Sequence, residues 1–138
     1  MPVAARLLIA VATVHLALAA PHSEAAGKFD GAAPLLCVPI TVMECAREAD
    51  CRRVTAESVN LPQFLKVDVK AGTVQSDETK RTSPFRNIEH LDGTLILQSG
   101  QAGRGWTMAI SEETGSMSAT VLSAGEGFVV FGSCTLLP

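Results

Sequence analysis

The sequence predicts a small all-β domain. The predicted form is an antiparallel up-and-down barrel or a strongly curled meander, with a β-sandwich as the alternative. Three observations carry this expectation. Apolar and polar residues alternate in short runs from residue 35 to residue 131, the period of half-buried strands. Turn signals recur every ~8–12 residues in the second half. Four cysteines in so short a chain fit a domain that needs staples beside a modest core. After the first 25 residues there is room for at most one short helical turn.

Residues 1–25 have a different composition. Arg6 precedes the unbroken Ala- and Leu-rich run Leu7–Ala20, and Pro21 ends it. Ser23-Glu24-Ala25 places small residues where a signal peptidase reads them, and Ala17-Leu18-Ala19 is a second fitting site. The run is too short for a spanning helix, which needs ~20 apolar residues. No cysteine follows directly behind the cleavage site to carry a lipid; Cys37 lies too far downstream. The expectation is a cleavable signal over 1–25 and one exported domain over 26–138, without a transmembrane anchor, in a periplasm or outside the cell. The absence of an N-glycosylation sequon after residue 25 favours the periplasm.

The elements follow in order. Residues 26–33 are small and read as a flexible lead-in. Leu35–Glu44 reads as a strand in which Pro39 cannot donate to a ladder, so an edge or a bulge is predicted there. Residues 45–62 are polar, with one helical turn at 55–58 capped by Thr55 and stopped by Pro62. Phe64–Lys70 alternates, with Leu65, Val67 and Val69 opposite Lys66, Asp68 and Lys70. Phe64 falls on the charged face and marks a candidate contact patch. Ala71-Gly72 turns into a short strand at 73–75, and 76–84 reads as a mobile polar loop. Asp92-Gly93 between 86–91 and 94–98 is the strongest hairpin signal. Residues 99–105 read as a Gly-rich loop. Alternation returns at 106–111 and at 117–121, separated by a turn. Phe128–Phe131 is apolar on both faces and reads as a doubly covered central strand. About eight strands result, enough to close a barrel that holds one small ligand.

An even cysteine count in an exported domain predicts disulfides. Three pairings are formally open. Cys45–Cys51 would close a polar loop, and Cys37–Cys134 would tie the first strand to the last. Cys37–Cys45 is disfavoured, because eight extended steps exceed the reach of a bridge. The cysteine spacing lacks the close pairs of zinc sites and of thiol-redox catalysts. The formal net charge of −3 gives no basic stripe for nucleic acid.

His90 is the only histidine after residue 25. One imidazole cannot build a multi-histidine metal site, and no Gly-x-Ser-x-Gly elbow accompanies it. His90 reads as a surface strand residue. The carboxylate pairs Glu112-Glu113 and Asp77-Glu78 lie in predicted turns, where water surrounds them. Residues 99–105 fail the phosphate-loop pattern, although Arg104 in so permissive a backbone is a candidate anion contact. Trp106 is the only tryptophan, either in the core or in a pocket wall.

No cofactor or metal is expected. The expected function is non-enzymatic binding of a small apolar ligand or of a cell-envelope protein, with Trp106, Arg104, Phe64 and His90 as candidate contacts. The ligand version predicts a cavity lined by Val67, Met108, Ile110, Met117 and Val130; the partner version predicts an exposed apolar patch. The alternative is a small exported hydrolase or thiol-redox enzyme, with His90 or a free cysteine meeting a carboxylate in a cleft.

Overall fold

The computed structural model describes residues 28–137. The expected signal and its cleavage boundary lie outside the described residues. The elements are β1 (Leu35–Ala46), β2 (Ala49–Val54), a 3-10 turn (Glu57–Val59), β3 (Leu65–Asp68), β4 (Thr73–Ser76), β5 (Thr82–Pro84), β6 (Asn87–Leu91), β7 (Thr94–Gln101), β8 (Arg104–Ser111), β9 (Ser116–Leu122) and β10 (Glu126–Leu136). They form one antiparallel sheet in the order β5-β4-β3-β1-β10-β9-β8-β7-β6, with β2 on the free half of β1. Among the described residues no helix is long and apolar enough to cross a membrane.

The chain connectivity forces this sheet to curl. β5 and β6 are the two ends of the order, yet only Phe85 and Arg86 join them. Laid flat, nine strands would hold those ends roughly 38 Å apart at ~4.8 Å per neighbour. The link reaches at most about 11 Å. The sheet therefore bends into a half-barrel whose edges meet at a seam. Arg86 N donates to the Gln98 carbonyl at 2.9 Å. Phe85 packs edge-to-face on Trp106, with ring centroids 5.8 Å apart. The predicted curled meander is the observed architecture, and the sandwich does not form.

Pro39 sits at a bulge, as its missing N–H requires. The β1–β10 register shifts between Pro39 and Thr41. On its other side β1 changes partner across the same point. Residues 35–37 pair with β3, and β2 takes over at Val42. The bulge thus falls in a gap between two neighbours, where no ladder bond is lost.

Strand directions give the half-barrel two distinct ends. The turns β6–β7 and β8–β9 and the start of β1 lie at one end, called the base. There Leu35, Val67, Leu95, Leu97 and Ile110 are fully buried. The lead-in corrects the sequence reading, because it packs here instead of trailing. Phe29 is buried, and its N–H donates to the Glu112 carbonyl at 2.8 Å. A side chain at Gly115 would meet the Phe29 ring. One aromatic ring thus plugs the base.

Other elements also depart from the reading. β2 and β5 are strands where loops were predicted. β7 and β8 run on through residues 99–105 to a two-residue turn at Ala102-Gly103. β10 is central but not doubly covered, since Phe131 is 50% exposed. A single curled sheet has one inner face, and no second layer covers its outside.

Candidate functional site

The end opposite the base is open. The β7–β8 hairpin brings Gln101, Ala102 and Arg104 to one side of the opening. The β4–β5 hairpin brings Ser76, Arg81 and Thr82 to the other, and β5 and β7 approach each other across it. Between them lies a cavity of about 540 Å³. That is within the ~300–1,000 Å³ range of small-molecule pockets. Its floor is apolar: Leu65, Val74, Met108, Met117, Ala119 and Val130 line it, and Met108, Met117 and Val130 are core residues that present only 2–4% of their surface. Trp106 forms part of its wall, held by Phe85 at the seam. The alternation of β8 and β9 explains the lining, since Met108 and Met117 point inward by period two. Val67 and Ile110 belong to the packed core below.

The rim chemistry is uneven in sign. The lining contains two arginines and no aspartate or glutamate. Arg104 Nη2 stands 3.9 Å from Glu126 Oε1, a loose contact between two well-exposed side chains. Arg81 has no carboxylate partner among the described residues; its Nε points to the Thr79 hydroxyl at 3.4 Å. The acids of its own hairpin are engaged elsewhere. Asp77 pairs with Lys80 at 2.8 Å, and Glu78 accepts from the Gln63 N–H at 2.9 Å. Ser76 is buried in the wall, and its Oγ accepts the Thr79 N–H.

The structure places the other candidate residues apart from this cavity. Phe64 lies outside it, on a smaller cleft of about 350 Å³ with Val38, Pro39 and Thr55, where the 3-10 segment covers the β2–β3 gap. The N-cap position of that segment is Ala56, not the expected Thr55, although Ser58 N donates to Thr55 Oγ1 at 3.2 Å just ahead of it. His90 lies at the base, on the exposed edge strand β6. Its Nδ1 is 2.5 Å from Glu112 Oε1. Among the described residues no hydroxyl or thiol hydrogen-bonds its other ring nitrogen. Cys37 is bonded to Cys134 and Cys45 to Cys51, which leaves no free thiol. No group of three or more His, Cys, Asp or Glu among the described residues is placed to hold a metal ion. His90→Gln should shift the unfolding free energy by less than about 1 kcal/mol, because the pair is exposed on its histidine side. Urea midpoints of the two proteins check this, and a larger loss would give His90 a structural role.

Arg81 is the rim residue that sequence reasoning missed. It sits in a polar stretch with no periodicity, and only the curl carries it across from Arg104. Comparison with protein-family models, with curated proteins and with solved structures finds no match to this chain. The two disulfides, with no membrane-crossing helix among the described residues, are consistent with an exported protein.

Proposed function

We propose that the domain is a periplasmic or secreted carrier that holds a small apolar molecule in the open end of its half-barrel. The observation that supports this reading is the division of the interior. The base is packed and plugged by Phe29, whereas the other end keeps a cavity of about 540 Å³ with an apolar floor and a polar rim. A domain of this size has little core to spare, so an apolar concavity kept open at one end, with polar groups gathered at its rim, has the form of a small-molecule site. A protein partner is the second reading. Of the six large exposed apolar residues among those described, Ile40, Phe64 and Phe131 gather near the bulge, while Ile88, Leu91 and Leu122 lie away from it. Leu91 and Leu122 stand at opposite ends of the barrel.

Trp106 makes the test direct. It is the only tryptophan, the chain has no tyrosine, and the indole lies in the cavity wall. Titration with the neutral fluorophore N-phenyl-naphthylamine should give saturable energy transfer from Trp106 at one site per chain. Ala119→Phe puts a ring into the middle of the cavity and should weaken binding at least tenfold, or about 1.4 kcal/mol. A linear, unsaturable signal, or equal binding by the variant, would sink the ligand reading and favour an envelope-protein partner.

A further inference from the structure

We infer that the cavity selects a single-chain amphiphile with an anionic head, such as a long-chain carboxylate, held at the mouth by Arg81 and Arg104. This rests on the ligand reading above and adds the chemistry of the head group. Charge distribution carries it. Acids outnumber bases in the whole chain, 14 to 11, yet the cavity lining holds two arginines and no acid. Both charges within the lining are positive, while the nearby acids Asp77, Glu78 and Glu126 stand outside it with partners of their own. The two guanidinium groups come from the β4–β5 and β7–β8 hairpins, which both line the opening and flank the seam where β5 approaches β7. Arg81 is available, because Asp77 and Glu78 beside it already have partners. Arg104 has only its loose contact with Glu126 to give up.

The floor excludes a bare inorganic anion as the whole ligand. Below the rim the wall is Leu65, Val74, Met108, Met117 and Val130, which offer no hydrogen bond to a second charge. An occupant complementary to both parts has one apolar chain and one anionic end. A carboxylate suits the planar fork of arginine, which donates two parallel hydrogen bonds to it. Ser76, Thr82 and Gln101 supply further polar groups at the same level.

The experiment ranks three probes of equal chain length and opposite head charge. Tetradecanoate, tetradecanol and tetradecyltrimethylammonium each displace N-phenyl-naphthylamine from the oxidised, exported-form protein, below micelle formation and at low salt. Tetradecanoate should bind at least tenfold tighter than the ammonium, with the alcohol between them. In R81Q/R104Q the three should converge, while the urea midpoint and the Trp106 emission maximum stay those of the parent, which shows that the fold is intact. Raising the salt should weaken only the carboxylate. Equal affinities in the parent, or a carboxylate preference that survives in R81Q/R104Q, would overturn the inference and leave the ligand reading standing. Failure of N-phenyl-naphthylamine itself to bind the parent would overturn both.

Discussion

Replacing Cys37 and Cys134 together by alanine should lower the unfolding free energy by roughly 4–5 kcal/mol, the cost expected for opening a loop of about a hundred residues. The two cysteines are 97 residues apart, and they face each other directly in the β1–β10 ladder. Both are buried, so the substitution also removes packed sulfur from the core. Small domains have only about 5–15 kcal/mol in total, so the variant should stand close to unfolded at 37 °C. The internal comparison is C45A/C51A. That bridge spans six residues of the β1–β2 hairpin, where Cys51 is exposed, and its loss should cost only about 2 kcal/mol. Urea unfolding under non-oxidising handling, followed by Trp106 emission, separates the two. Equal midpoints for both variants would show that the long bridge does not act by restricting the unfolded chain.

Gly132→Ala should cost about 3 kcal/mol, the upper part of the range for overpacking. The sign is unusual. Alanine in a strand ordinarily stabilises relative to glycine by roughly 0.5–1 kcal/mol. At Gly132 a Cβ would lie 2.2 Å from the Val38 carbonyl oxygen and 2.7 Å from Met117 Cε. The methionine tip can swing away. The carbonyl cannot, because it belongs to the strand that carries the Pro39 bulge, and moving it breaks the central ladder. Gly105 is the control, as a strand glycine with nothing within 4 Å of its would-be Cβ. Gly105→Ala should be neutral or slightly stabilising. If the two variants unfold at the same urea concentration, the close approach at the bulge does not limit packing.

What could be read from the sequence follows how local the responsible physics is. The Asp92-Gly93 hairpin was legible because the turn chemistry is contained in two residues, and both take positive φ, at 48° and 74°. Ala102-Gly103 has the same geometry, at 52° and 76°, but alanine is a poor left-handed residue and does not announce it. There the turn is imposed by the ladder that runs through Gln101 and Arg104. β2 was illegible for a related reason. Five of its six residues are exposed, so it has no hydrophobic period, and it is a strand because β1 runs past it and Cys51 is tied to Cys45. Pro39 was legible, since a missing N–H can be located on a ladder without knowing the fold.

The candidate site divides in the same way. Met108 and Met117 follow from alternation and line the cavity, and Val130 joins them from a strand whose own pattern, apolar on both faces, does not say which side turns inward. Trp106 and Arg104 could be singled out as scarce or unusual residues. Arg81 could not, because its significance depends on which strands become neighbours at the seam. Phe29 was hidden among small residues, and its burial is decided by the shape of the base.

The ladder between β1 and β10 has a consequence for the time course of folding. Arms β3–β5 and β6–β9 are built from consecutive hairpins and can form as soon as their residues exist. The middle of the sheet cannot, because the first strand waits for the last. Long-range pairing of this kind places folding toward the slow, ms–s end of small domains. In a chain delivered from its N-terminus, Cys37, Cys45 and Cys51 emerge together while Cys134 is still behind. Cys45 and Cys51 can be oxidised at once, within their own hairpin. Cys37 has to stay reduced until the final strand arrives, so the order in which the thiols are oxidised becomes part of how this protein reaches its native state.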